Sequence, residues 1–251
     1  MNIYGLIGYP LGHSFSKQYF NDKFEREGLE DCFFELFPID NIGLFPELLN
    51  AHPGLRGMAV TIPYKQVVMP FLDFIDEKAR AIGAVNCIRI LPGRLLGYNT
   101  DIIGFERSLK PLLQPGHKKA LVLGSGGASL AVQAALKEMG IGFLLVSRKA
   151  ADGMISYREI TEEIIQTHTL IINCTPLGMS PNEAGLPDLP YEFIGAQHLL
   201  YDLVYQPAET RFLSEGKKRG AVIKNGYEML VLQAEENWTI WNIPEANLPA
   251  Q

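Results

Sequence analysis

Cysteine is scarce in this chain: three in 251 residues, at Cys32, Cys87 and Cys174. They lie far apart, each in an apolar run, and none belongs to a C-x-x-C pair. A disulfide framework is therefore excluded, and the thiols read as small buried hydrophobes. The five histidines show no H-x-x-x-H spacing, so no structural metal is expected. No run reaches the roughly 18 apolar residues that cross a bilayer. The start of the chain, Met1–Gly8, carries no basic segment and no long apolar stretch, which makes the cytoplasm the expected compartment. Positive charge is also short, with 22 Lys and Arg against 28 Asp and Glu and a net charge of −6. Without a basic run interleaved with aromatics, nucleic acid is not an expected partner. An anionic ligand must then be held by a local cluster. Internal repeats and low-complexity segments are absent.

What is present is an ordinary globular composition, 47% hydrophobic and 20% charged, long enough for one large domain or two. Apolar runs of strand length, at 3–7, 32–37, 57–62, 85–91, 120–123, 142–146, 169–173, 199–203 and 221–223, alternate with amphipathic segments at 16–26, 73–82, 102–113, 128–139 and 228–241. That alternation predicts an α/β protein with largely parallel sheets. A second α/β unit is expected to begin near Asp101, to hold a nucleotide unit over 121–225, and to hand the last helix back to the first unit.

Leu121-Val-Leu-Gly-Ser-Gly-Gly-Ala-Ser-Leu130 sets G-x-G-G between a buried strand and an alanine-rich helix. Glycines there allow a tight turn and close approach of backbone N–H groups to a pyrophosphate; the alternative is a tight turn with no ligand. Ser129 stands at the third fingerprint position. The following strand ends in Ser147-Arg148-Lys149, where an NAD site usually has a carboxylate for the ribose 2′-hydroxyl. Two cations there suit a 2′-phosphate, hence NADP, unless they are simply a solvated turn. Only Ala150–Gly153 separate this turn from the next apolar segment, so the usual crossover helix is expected to be missing and the adenine side open.

Three loops in the first hundred residues carry polar groups that could meet. Ser14 and Ser16 are two apart, so their hydroxyls could face one ligand, although Ser16 could equally be a helix N-cap. Lys65 ends Thr61-Ile-Pro-Tyr-Lys65 and could be a surface lysine in a helix's first turn. Asp101 ends Gly97-Tyr-Asn-Thr-Asp101, where it or Thr100 could serve as a cap. His13 reads as a loop-fixing residue.

Taken together, these motifs make the chain resemble the shikimate dehydrogenase family nearly end to end. G-x-P-x-x-H-S-x-S appears as Gly8–Ser16, V-T-x-P-x-K as Val60–Lys65, I-G-A-V-N as Ile82–Asn86 and G-x-N-T-D-x-x-G as Gly97–Gly104. G-x-G-G-A appears as Gly124–Ala128, I-N-x-T-P-x-G-M as Ile172–Met179, D-x-V-Y-x-P-x-x-T as Asp202–Thr210 and G-x-x-M-L-x-x-Q as Gly226–Gln233. Three features depart from the family pattern: Lys17 stands where proline usually opens the first helix, Ala59 replaces an asparagine, and the 150–153 connection is shortened.

The resemblance implies a two-domain α/β fold with its active site in the cleft between the domains. A mixed-sheet substrate domain over 1–101 would be completed by the helix in 226–251, and a Rossmann-like NADP domain would cover 102–225. It further implies reversible NADPH-dependent reduction of 3-dehydroshikimate to shikimate, a step of aromatic amino acid and chorismate biosynthesis. Lys65 and Asp101 would be catalytic. Ser14 and Ser16 would hold the substrate carboxylate, with Tyr205 near that end, and Thr61, Asn86 and Gln233 the ring hydroxyls. Gly124, Ser125, Gly126, Gly127 and Ala128 would cradle the pyrophosphate; Ser147, Arg148 and Lys149 the 2′-phosphate. Asn173, Thr175, Val204 and Gly226 would line the nicotinamide pocket. No metal is implied, and the chain would be a monomer or homodimer. Rival expectations are a quinate/shikimate or aminoshikimate dehydrogenase, or a non-catalytic ligand sensor of the same fold.

Overall fold

Residues 1–12, 14–149 and 152–248 are described by the computed structural model, in which the chain divides into two units. The first comprises Met1–Thr100 and Ala234–Gln251, the second Asp101–Gln233.

The first unit contains β1 (Asn2–Gly8), α1 (Phe15–Arg26), β2 (Cys32–Pro38), α2 (Phe45–Ala51), β3 (Leu55–Val60), β4 (Phe74–Ile75), α3 (Glu77–Ile82), β5 (Cys87–Leu91) and β6 (Arg94–Tyr98). Its sheet runs β2-β1-β3-β5-β6-β4. The β1 pairings with β2 and β3 are parallel, those of β5 with β3 and β6 antiparallel, so the sheet is mixed. Alternation along β1 sends Ile3 and Ile7 to one core and Tyr4 and Leu6 to the other, so both faces are covered. The parallel register with β3 slips between Ile3 and Tyr4, leaving Arg56 as an extra residue. That bulge is why Leu55 and Met58, three apart, face the same core.

The second core of this unit is aromatic. Phe20 stacks on Phe34 with ring centroids 4.8 Å apart, and Tyr4 stacks on Trp241 at 5.2 Å. A Cβ at Gly57 would lie 2.4 Å from the Trp241 ring, so the glycine is what lets the indole settle on β3. The indole N–H donates to the Ile88 carbonyl at 3.1 Å. Lys23, buried beside these rings, pairs with Glu27 and Glu235, each at 2.9 Å. Burial alone would lower its pKa; the two carboxylates outweigh that and hold it above the ordinary lysine value.

One expected helix is corrected. The amphipathic pattern over 73–82 does not form a single helix: Phe74 and Ile75 pair with β6, and the Asp76 carboxylate caps the Lys78 N–H at 3.0 Å. Asp73 is drawn away as well, accepting from the Leu95 N–H at 2.7 Å. Short carboxylates that bond nearby backbone compete with helix formation, and here they fix a strand and a cap instead. Strand β6, which the apolar runs left out, folds back on β5 through Pro92-Gly93, with Gly93 at φ +70°.

The second unit contains α4 (Asp101–Leu109), β7 (Lys119–Leu123), α5 (Gly127–Glu138), β8 (Gly142–Ser147), β9 (Met154–Ser156), α6 (Glu162–Thr167), β10 (Leu170–Asn173), β11 (Leu199–Asp202), α7 (Arg211–Lys218), β12 (Val222–Lys224) and the start of α8 (Tyr227–Trp241). Every pairing in its sheet is parallel, in the order β12-β11-β10-β7-β8-β9. Numbered within the unit, and read from the other edge, this is 3-2-1-4-5-6, the doubly wound dinucleotide-binding order. The central strands are buried along their length, as expected for strands covered on both faces. Chain order reverses between β7 and β10, which makes the crevice at their carboxyl ends the place for a ligand. No helix among the described residues is long and apolar enough to cross a membrane.

Candidate active site

In the first unit the expected site residues sit on loops that backbone bonds pin to the ends of β1 and β3. The Thr61 N–H donates to Ile7 O at 2.9 Å and the Tyr9 N–H to Ile62 O at 3.1 Å. A Cβ at Gly8 would come within 2.4 Å of Thr61 Cγ2, so glycine is needed for this approach. Lys65 is half-buried, in a turn and not in a helix's first turn. Its carbonyl accepts from the Val85 N–H at 2.7 Å, while the neighbouring Tyr64 is buried with its hydroxyl on Ile39 O. The backbone carrying the amine is thus fixed from both sides.

Ser14, not Ser16, occupies the N-cap of α1, and its side chain makes no capping bond. Lys17 lies in the first turn after Phe15 and Ser16, so it is not the first helical residue; it pairs with Glu35 at 2.8 Å. Neither serine hydroxyl takes a hydrogen-bond partner among the described residues, and the first turn of α1 holds no acidic residue. Two open hydroxyls at an uncapped helix N-terminus suit a carboxylate. Ala59 packs in the aromatic core.

Asn86 is buried, and it is held by Thr100, which the sequence offered only as a possible cap, and through it by Asn237, which the sequence did not mark. Its Oδ1 accepts from the Thr100 N–H at 2.7 Å, and its Nδ2 donates to Thr100 Oγ1 at 3.0 Å. The Thr100 hydroxyl in turn donates to Asn237 Oδ1 at 2.7 Å. Thr100 therefore orients Asn86, an alternative to capping; the only hint in sequence was its place inside G-x-N-T-D.

In the second unit, Asp101 is the first residue of α4 and is buried. Gln233 is also buried, and its Nε2 donates to Leu230 O at 3.0 Å. Gly104 allows the close approach of α4 and α8, since a Cβ there would meet Met229 O at 2.6 Å. Tyr205 is half-buried, which raises its hydroxyl pKa.

The glycine turn lies at the reversal point of the sheet. Gly124 has φ +100°, and its N–H donates to Val146 O at 2.8 Å. A Cβ added at Gly126 or Gly127 meets nothing within 4 Å, and α5 starts from Gly126 with no side-chain cap. Exposed Ser125 and half-buried Ala128 flank them. Open backbone at the start of a twelve-residue helix is the arrangement a pyrophosphate requires, so the residues fit a dinucleotide. Ser129 fixes the turn from beneath: wholly buried, it donates to Gly126 O at 2.7 Å.

Ser147 ends β8, followed by exposed Arg148 and Lys149, with no carboxylate at the strand end. Both cations line a cleft of about 740 Å³ with Ser156, Tyr157, Arg158, Leu177, Leu186 and Asp188. Strands β8 and β9 pair in parallel, and the described residues between them form no helix. His13 and, in this connection, Ala150 and Ala151 lie outside the described residues.

A buried carboxylate braces the far side of the turn. Asp202 ends β11 and is fully buried. It accepts from Asn173 Nδ2 at 2.9 Å, the Val204 N–H at 3.0 Å and the Thr210 hydroxyl at 2.6 Å. Asn173 Oδ1 then accepts from the Thr175 N–H at 3.0 Å and its hydroxyl at 2.6 Å. Thr175 Cγ2 is the atom that a Cβ at Gly124 would strike, at 2.9 Å. Asp202 therefore sets Asn173 and Thr175 against the glycine turn. Burial raises its pKa to about 6 despite the three donors. Gly226 is required nearby: its N–H donates to Val204 O at 3.1 Å, and a Cβ would collide with Leu203 O. The motif bounded by Asp202 and Thr210 gave these two residues no role, although a lone aspartate closing the apolar run Leu-Leu-Tyr-Asp was a visible signal.

A protein from Carboxydothermus hydrogenoformans named shikimate dehydrogenase (NADP(+)) is 38% identical over 258 residues, covering 94% of this chain and 90% of that protein. The chain belongs to the shikimate dehydrogenase family. The model of the family's substrate binding domain matches residues 6–88. Among solved structures, shikimate 5-dehydrogenase from Thermus thermophilus in complex with NADP(H) and shikimate superposes with a TM-score of 0.85 at 31% identity, covering 100% of this chain and 95% of that one. A chorismate mutase/shikimate 5-dehydrogenase fusion protein from Clostridium acetobutylicum gives 0.85 at 36% identity, covering 98% and 93%.

Proposed function

We propose that this family member is an NADP-dependent shikimate dehydrogenase, reversibly reducing 3-dehydroshikimate in the cytoplasm. The observation that carries the reading is the dinucleotide turn at the sheet's reversal point, with a strand end beside it that offers two cations and no carboxylate. The first unit, with the open hydroxyls of Ser14 and Ser16 at the start of α1, supports a carboxylate substrate there. The second would hold the cofactor.

Bound NADPH would supply hydride to the substrate carbonyl carbon. Lys65 would donate the proton that the carbonyl oxygen needs as its negative charge develops, and take it back in the oxidative direction. Asp101 would orient Lys65 and would accept from a neighbouring ring hydroxyl. Thr61, Asn86 and Gln233 would bind ring hydroxyls, with Thr100 keeping Asn86 in one amide orientation. Tyr205 would lie toward the carboxylate. On the cofactor side, residues Gly124–Ala128 would take the pyrophosphate, Ser147, Arg148 and Lys149 the 2′-phosphate, and Asn173, Thr175, Val204 and Gly226 would shape the nicotinamide end.

Absorbance at 340 nm, with shikimate or quinate and either NADP or NAD, tests this directly. Efficient turnover of shikimate with NADP and weak turnover of the other three pairs is expected. Preference for quinate, or no turnover with any pair, would refute the reading.

A further inference from the structure

The cleft that holds Arg148 and Lys149 contains a third cation, which neither the sequence motifs nor the family's site assigns. Ser147 and Ser156 are register partners on the parallel strands β8 and β9. Parallel neighbours lie about 4.8 Å apart, so the residues that follow each strand emerge side by side. Arg148 and Lys149 thus leave β8 beside Tyr157 and Arg158 leaving β9, and all four line the same cleft.

In a doubly wound unit a helix ordinarily joins two such strands. Here residues 148–153 make the connection, and the end of β9 opens on the same mouth as the end of β8. Arg158 is exposed, and among the described residues neither it nor Arg148 nor Lys149 takes a hydrogen-bond or ion-pair partner. The adjacent carboxylate does not neutralise it: Glu159 turns back to accept the N–H and hydroxyl of Ser156, at 2.7 and 2.6 Å. Among the described residues, Asp188 is the only acidic one lining the cleft, against three cations. Tyr157, next to Arg158 in the chain, packs on the core of the unit, so the Arg158 backbone is anchored although its side chain is exposed.

We propose that Arg158 is a specificity-determining residue of the cofactor site, a third cation that binds the 2′-phosphate of the adenosine ribose together with Arg148 and Lys149. The proposal rests on the NADP reading above and adds to it the residue that the shortened connection brings into the site.

Titration calorimetry with 2′-phospho-ADP-ribose and with ADP-ribose tests this without turnover. For Arg158→Ala, affinity for the phosphorylated probe should fall on the order of ten-fold while that for ADP-ribose moves less than about two-fold. Arg158→Lys should recover part of the loss, and Arg158→Glu should lose more. Equal weakening for both probes, or none for either, would overturn the assignment. Arg148→Ala in the same titrations separates the two levels. If it loses selectivity and Arg158→Ala does not, Arg158 is a surface arginine and the cofactor reading stands. If the wild-type protein binds both probes equally, both fall.

Discussion

Replacing Asp202 by asparagine should stabilise the protein above neutral pH and leave it almost unchanged in acid. The ordinary pKa of 3.8 rises to about 6 because burial penalises the charged carboxylate. Between those values the folded protein binds this proton more tightly than the unfolded chain does. Stability from this group is therefore fully present below about 4 and declines as pH rises through 6. A shift of roughly two units corresponds to about 3 kcal/mol at pH 8. Asparagine can keep the bonding pattern: its Oδ1 accepts from Asn173 and Val204 as the aspartate Oδ1 does, and its amide faces Thr210 Oγ1, which has lone pairs to accept. Urea unfolding of both proteins at pH 5 and pH 8, followed by circular dichroism, measures the difference. The variant's advantage should grow by about 1.4 kcal/mol between the two pH values, the rest having already appeared below pH 5. Curves that shift in parallel would show that Asp202 is ionised without cost and that burial does not govern its titration.

Arg148→Ala should raise KM for NADP about 10- to 100-fold with little change for NAD, the loss of one charge-assisted phosphate contact; equal changes in initial-rate assays would remove Arg148 from the phosphate site. Ser14→Ala and Ser16→Ala should each weaken shikimate binding by about 1–2 kcal/mol and leave the melting temperature nearly unchanged, because neither hydroxyl caps α1. Unfolding in either variant would mean that the hydroxyl serves the helix after all. Asp101→Asn should lower kcat, and combined with Lys65→Met it should be little worse than the poorer single variant if the two act as a unit. Multiplicative losses would assign them independent roles.

The parts of this fold that sequence exposes are those with one dominant local signal. The apolar runs of β7, β10 and β11 are strands because only a two-sided sheet buries them, and the glycines at 124–127 mark a turn that side chains would block. Less legible were elements decided by competition. Residues 73–82 carry a helical pattern, but Asp73 and Asp76 bond backbone N–H groups and divide it. The short helices α2, α6 and α7 span only six to eight residues and bury one to three each, too few to register as a helical period. The Pro92-Gly93 turn was readable as a hairpin, yet the polar Arg94 masked the strand after it.

At the candidate site, sequence order suggests groups that the proposed chemistry would use, but not those that hold them. Nothing in Thr100 or Asn237 alone marks them as supports for Asn86, since their bond joins residues far apart in the chain. Asn173 was expected at a ligand and is instead fully buried, taken up by Asp202 and Thr175. Its influence on a cofactor would pass through the loop it braces.

The most direct test of the account is the kcat of Lys65→Met with saturating shikimate and NADP at 340 nm, alongside NADP binding by the same variant. Methionine keeps the apolar stem and removes the proton carrier. General acid–base catalysis contributes about 10²- to 10⁴-fold, so kcat should drop by that order while NADP affinity stays within about two-fold of wild type. A variant that turns over shikimate at a near-normal rate would contradict the account, and Lys65 would then be a surface lysine on a well-anchored turn.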